Sequence, residues 1–158
     1  ISGSMAGEFE IWSKAIALVV AEESLKQNRK VSIVLFDNKI QERIELDPAS
    51  RNHKELLDFV ATWQTRGGTS FANVIADAMY HKDIDDKADI LMITDGNAEV
   101  PDQYVRKVNL WKDEKKIDWN SFCLGSKSKN LQLFSDRVTL VDIEDDASSS
   151  ELFQDVLL

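Results

Sequence analysis

Residues 88–94 read Ala-Asp-Ile-Leu-Met-Ile-Thr, a run whose centre offers no polar side to solvent. A strand covering a core on one face alternates apolar with polar residues. A continuous apolar strand is buried on both faces, and such strands belong to parallel sheets sandwiched by helices. Segments 31–36 and 138–141 have a similar β-branched or apolar character, and 117–125 also reads as a strand. Helical patterns separate them. Residues 8–27 place Ile11, Ala15, Leu18, Val19 and Leu25 at helical spacing, which predicts an inward face. Residues 48–62 predict a helix with Leu56, Leu57, Phe59 and Val60 inward, and 69–80 predict another. Pro101 opens a helix to about residue 115, since proline is tolerated in a first helical turn. Residues 131–134 allow at most a short helix, and 148–157 predict a closing helix capped by serines. Asp37-Asn38-Lys39 reads as a tight turn into segment 40–46, whose apolar–charged alternation suits a sheet edge. The expected fold is α/β: a doubly wound, Rossmann-like, mostly parallel sheet with one antiparallel edge strand and helices on both faces.

With 158 residues, 43% of them hydrophobic, the chain makes one domain with a real core. A net charge of −9, from 28 acidic and 19 basic residues, argues against a phosphate-tracking nucleic-acid binder. No apolar run reaches the roughly 18–20 residues that span a bilayer. Cys123 has no second cysteine to pair with, so a reducing, cytoplasmic setting is expected.

Three short motifs stand where strands would hand over to helices or between helices: Ser2-Gly3-Ser4, Gly67-Gly68-Thr69-Ser70 and Thr94-Asp95-Gly96. An open α/β sheet carries its ligand site outside the carboxyl ends of its strands. Hydroxyls and a carboxylate gathered there are the oxygen donors that a hard divalent cation selects. Each motif also has a plainer reading. Ser2, Ser4, Thr69 and Ser70 suit helix N-caps, and Asp95-Gly96 suits a turn. The acidic residues Asp83, Asp85, Asp86 and Asp89, and Asp142, Glu144, Asp145 and Asp146, read as solvated loops. The first group fails the EF-hand pattern, with Ala88 and Thr94 where Gly and Glu are needed. His53 and His81 lack ligand spacing, and Cys123, between Phe122 and Leu124, reads as an inert core thiol. Of the four tryptophans, Trp63 beside the Gly-Gly loop is the candidate partner contact.

Taken in order, these motifs resemble the metal-ion-dependent adhesion site (MIDAS) of a von Willebrand factor type A (VWA) domain, with its Asp-x-Ser-x-Ser, a later threonine, and an Asp-Gly after a central strand. The resemblance spans the whole chain, residues 1–158, as one domain. It departs from the pattern at the start: the first carboxylate would precede Ile1, as would the first strand, so the chain is expected to lack both. The resemblance implies that Ser2, Ser4, Thr69 and Asp95 hold Mg²⁺ (or Mn²⁺ or Ca²⁺), Ser2 and Ser4 directly, Thr69 directly or through water, and Asp95 through water. The open position would take an Asp or Glu of a partner protein. Gly3-Ser4-Met5 with the following helix, and Arg66-Gly67-Gly68-Thr69, are similar to the bacterial ViaA/CoxE-like branch. That branch implies an adaptor for a MoxR-type AAA+ ATPase, and no enzyme activity. The alternative is a metal-dependent phosphoryl-transfer enzyme on a similar scaffold, although neither a Walker loop nor a Gly-x-Ser-x-Gly elbow is present. A metal-free scaffold is the third reading.

Overall fold

The computed structural model describes residues 7–49, 53–63, 68–82, 84, 86–96, 98–126 and 128–142. The order is α1 (Glu8–Lys26), β1 (Val31–Phe36), β2 (Ile40–Leu46), α2 (His53–Thr62), α3 (Phe71–Tyr80), β3 (Asp89–Thr94), α4 (Asp102–Lys115), β4 (Asp118–Leu124), a 3₁₀ turn (Leu131–Leu133) and β5 (Arg137–Val141). The expected closing helix, 148–157, lies outside the described residues. Pro101 occupies the N-cap of α4, and Lys116 ends that helix in the left-handed conformation at φ 60°.

The single sheet expected from the sequence is corrected to two. β1 pairs only with β2, antiparallel, while β3, β4 and β5 form a parallel sheet in the order β3-β4-β5. Among the described residues no hydrogen-bonded pairing joins β1 to β3, because no described strand lies between them. Periodicity identifies strands but carries no information about which edges meet. The middle of both edge strands is half-buried rather than buried, at Ile33, Val34 and Leu35 and at Ile90, Leu91 and Ile93. Helices join the sheets instead. On one face Ile16 of α1 packs with Phe122, Leu124 and Val141, while Ala21 of the same helix packs with Ile44 and Leu46. On the other face Phe71 and Ile75 of α3 share a core with Phe36 of β1 and with Met92, Trp119 and Cys123. At the strands' amino ends Arg29, just before β1, donates to Asp89 Oδ2 of β3 at 2.6 Å. The two sheets therefore run side by side with their amino ends together.

The inward faces differ in part from the expected ones. Ile11 is 70% exposed and Ala15 is also exposed, whereas Ser13, Ile16 and Ala21 are buried. Residues 15–21 of α1 are apolar throughout, so helical spacing alone does not select its buried side. Small residues settle the matter, since Ser13 and Ala21 let the helix lie close on the sheets. The Ser13 hydroxyl donates back to Phe9 O at 2.7 Å and is satisfied. In α2, Leu56 and Val60 are buried but Leu57 is exposed.

One buried charge fixes the far end of the parallel sheet. Lys112 Nζ donates to Phe134 O at 2.6 Å and to Asp136 Oδ1 at 2.8 Å, and Asp136 Oδ2 accepts from Trp119 N–H at 2.8 Å. A buried ammonium needs such partners, because an unpaired charge in the interior costs several kcal/mol. Burial acts to raise the Asp136 carboxyl, but the hydrogen bonds from Lys112 and Trp119 and the lysine charge outweigh it and hold the group below its ordinary range. A carboxylate depressed in the folded state contributes stability above its unfolded pKa and loses it as pH falls through its folded pKa. Acidification below about pH 4 therefore removes this contribution. Asp136→Asn should cost about 1–2 kcal/mol at neutral pH, the low end for a charged hydrogen bond because Asp136 is half-exposed. Urea denaturation across pH should show a shallower acid loss for the variant than for the wild type.

Candidate metal centre

Three segments meet the carboxyl ends of the strands. The first is the start of α1. A side chain built on Gly125, just after β4, would come within 3.1 Å of the Phe9 ring, so the first turn of α1 lies at that end of the sheet. Ser2 and Ser4, which precede this turn, lie outside the described residues.

The second segment carries Thr69. Ser70 N–H donates to Asp37 O at 2.9 Å, tying the loop to the carboxyl end of β1. The next residue, Phe71, is fully buried against Phe134 with ring centroids 6.0 Å apart, and Phe134 in turn packs edge-on to Trp119 at 5.3 Å. Thr69 and Ser70 themselves are half-buried. Ser70 holds the N-cap of α3 in extended geometry, yet its side chain makes no capping hydrogen bond.

The third segment leaves β3. Thr94 is buried and its Oγ1 accepts from Gly96 N–H at 3.3 Å, which turns the chain just after the half-buried Asp95. Gly96 has φ +73°, and a Cβ there would stand 2.5 Å from Ser128 Cβ and 2.8 Å from Cys123 Sγ. The Cys123 thiol donates to Ser126 O at 2.6 Å. Burial pushes that thiol up, and the nearby Asp95 charge adds to the effect, so Cys123 stays a protonated core group as the sequence implied. Asn130 Nδ2 donates to Ala98 O at 2.8 Å, locking the loop after β3 to the loop after β4.

Thr69 and Asp95 thus stand at the carboxyl ends of β1 and β3, the two strands that bound the gap between the sheets. Their oxygens are of the type a hard cation takes. Among the described residues no three His, Cys, Asp or Glu side chains are grouped to hold a metal. Of the other acidic candidates, Asp142 directly follows β5. Asp86 pairs with Lys115 and Asp89 with Arg29, while Asp83, Asp85, Glu144, Asp145 and Asp146 lie outside the described residues. Trp63, expected to be a partner contact, is only 6% exposed and packs edge-on to Phe59 at 5.9 Å. Its carbonyl accepts from Lys14 Nζ at 2.9 Å, which ties the end of α2 to α1. Sequence reading missed Asp37. Its carboxylate is buried and accepts from Lys39 N–H and Gln41 Nε2. The signal available was the Asp-Asn-Lys turn itself, since aspartate bonds the backbone two residues on.

Residues 1–139 match the von Willebrand factor type A domain. The chain belongs to that family. Two proteins of Methanocaldococcus jannaschii bearing the description uncharacterized, MJ0077 and MJ0811, are each 33% identical, over 100% and 92% of this VWA chain. The chain spans only 40% and 34% of their lengths. Among solved structures, a von Willebrand factor type A protein from Catenulispora acidiphila superimposes with TM-score 0.72 at 19% identity, over 99% of this chain and 39% of that one. BatB from Bacteroides thetaiotaomicron gives 0.61 at 14% identity, covering 92% of this chain and 86% of that one. An aerotolerance-related membrane protein from Bacteroides fragilis gives 0.54 at 16%, covering 92% and 87%. These likenesses show the VWA fold. Among the described residues of this VWA domain, no helix is long and apolar enough to cross a membrane.

Gly96 is constrained twice, by its positive φ and by the absence of space for a Cβ. Gly96→Ala should therefore destabilise the domain by roughly 2–4 kcal/mol, combining backbone strain with overpacking. Thermal unfolding measures the loss. Ser128→Gly in the same background should recover part of it by removing the 2.5 Å clash, while leaving the strain.

Proposed function

We propose that this VWA domain is a metal-dependent protein-interaction module. VWA domains are generally interaction modules, and family membership supports that coarser statement. The metal reading takes Ser2, Ser4, Thr69 and Asp95 as the oxygen set around Mg²⁺, with Mn²⁺ or Ca²⁺ as substitutes. The observation that carries it is the position of Thr69 and Asp95 at the carboxyl ends of the two strands flanking the gap, with the Ser70 hydroxyl not spent on capping. A strand between β1 and β3, ending in the carboxylate that the family pattern sets before Ser2, would both join the sheets and complete the set.

Chemically, a bound Mg²⁺ would supply a Lewis-acidic position with a vacancy for one outside oxygen. Three hydroxyls are neutral and the resemblance gives Asp95 a water-mediated role, so with one further carboxylate touching it the cation would keep a net positive charge. An incoming Asp or Glu of a partner then gains a strong charge-assisted interaction. The tight turn at Gly96 holds Asp95 at the strand end, and the Ser70 N–H bond to Asp37 O ties the threonine loop to β1, so the residues are positioned before any partner arrives. The partner we infer is a MoxR-type AAA+ ATPase, a reading supported by the ViaA/CoxE-like segments at 3–5 and 66–69.

Calorimetric titration of the natural polypeptide with Mg²⁺ tests the metal. Binding is expected, weakened roughly ten-fold or more by Thr69→Ala and by Asp95→Ala, a range that changes around metal ligands commonly reach. Capture of a purified MoxR-type ATPase should be lost on chelation and in the Thr69→Ala variant. Capture indifferent to both sinks the metal-mediated reading. Turnover of a phosphoryl donor that Asp95→Asn abolishes would replace it with an enzymatic one.

A further inference from the structure

The turn between β1 and β2 has more built into it than a hairpin needs. Register shifts by one residue just before it: Leu35 pairs with Glu42 but Phe36 pairs with Ile40, which leaves Gln41 as the bulged residue. A bulge re-aims the side chain it frees, and bulges are frequent beside functional sites. Here Gln41 Nε2 donates to Asp37 Oδ2 at 2.6 Å, while Lys39 N–H donates to Oδ1 at 3.0 Å. The buried Asp37 carboxylate is thereby fully engaged in shaping the turn. The backbone carbonyls of that turn point to α3. Asp37 O accepts from Ser70 N–H at 2.9 Å, and Asn38 O accepts from Asn73 Nδ2 at 2.5 Å.

Among the described residues, little else holds the threonine loop. A Cβ built on Gly68 would meet nothing within 4 Å, so packing there does not fix the chain. Ser70 contributes no side-chain cap. Among the described residues, the loop is located by the bond to Asp37 O and by the burial of Phe71 one residue later. Burial of Phe71 sets where α3 begins, but a ring in a core does not set the height of a residue two positions upstream. The hydrogen bonds to the hairpin turn do.

We infer that Asp37 and Asn73 are positioning residues for Thr69: the bulged β1–β2 turn is the seat that fixes the threonine for a divalent cation. This rests on the metal reading of Thr69. It makes the edge hairpin part of the site, although neither residue offers an atom to the metal.

Mg²⁺ affinity of the natural polypeptide is measured by calorimetry for the wild type, Asp37→Ala, Asp37→Asn, Asn73→Ala, Thr69→Ala and the Asn73→Ala/Thr69→Ala double variant. Loss of one locating hydrogen bond corresponds to about five-fold in affinity. Asp37→Ala and Asn73→Ala should each weaken binding by about that factor. Asp37→Asn keeps an acceptor for Lys39 N–H, and with the Gln41 amide turned over it should bind as the wild type does. In the Thr69→Ala background Asn73→Ala should add nothing, because its route runs through the threonine; a general structural role would add the same loss in either background. Asn73 is exposed, so its variant keeps the assay valid if Asp37→Ala fails to fold. Wild-type affinity in Asn73→Ala, or equal additive losses with and without Thr69, overturns the inference while the metal reading stands. No Mg²⁺ binding by the wild type, or none of it sensitive to Thr69→Ala, overturns both.

Discussion

Helix α1 lies across both sheets, and its packing makes one body of them. β1 and β3 exchange no described hydrogen bonds, so the backbone ladder that usually carries a sheet from edge to edge is interrupted in the middle. Side chains replace it. Ile16 and Ala21, five residues apart on one helix, belong to the cores of different sheets, and Phe71 and Ile75 of α3 bridge Phe36 and Met92 from the opposite face. Each large apolar side chain buried this way contributes roughly 1.5–3 kcal/mol, more than a net hydrogen bond. The exposed Arg29–Asp89 pair at the amino ends is worth far less and serves to align the strands rather than to hold them.

That division of labour explains what the sequence made legible. The apolar run at 88–94 and the apolar residues within 117–125 identified strands of the parallel sheet, because helices on both faces leave a compositional trace in each strand separately. The trace is there even though Ile90, Leu91 and Ile93 are only half-buried. The order of strands and helices followed from the same signal. Pairing between particular edges leaves no such trace, so the expected single sheet gave way to two. The inward side of α1 was misjudged for a related reason: Ile11 and Ile16 are equally apolar, and only the close approach allowed by Ser13 and Ala21 distinguishes them. Trp63 looked like a partner contact from its place beside two glycines, yet its ring packs against Phe59.

At the site, residue types spoke for chemistry but not for support. Thr69 and Asp95 stood out because a hydroxyl and a carboxylate in loops after or between such elements are the right donors in the right place. Asp37 did not, since an aspartate in a turn is ordinary. Its burial and its hydrogen bonds to Lys39 and Gln41 emerge only when β2 folds back with a bulge. Ser2 and Ser4 lie outside the described residues, so their part rests on the family pattern. Supporting residues are set by three-dimensional neighbours, and a linear pattern is blind to those.

The tight fit around Gly96 also governs Cys123. Its thiol is wholly buried, donates to Ser126 O, and lies where a Cβ on Gly96 would stand 2.8 Å away. No reagent reaches such a sulfur while the loops after β3 and β4 remain closed on each other. At high reagent concentration the rate at which the thiol is alkylated therefore times the opening that exposes it, and its dependence on denaturant separates local opening of those loops from global unfolding. With a single cysteine in the chain, the protein carries its own unambiguous clock for motion beside Asp95.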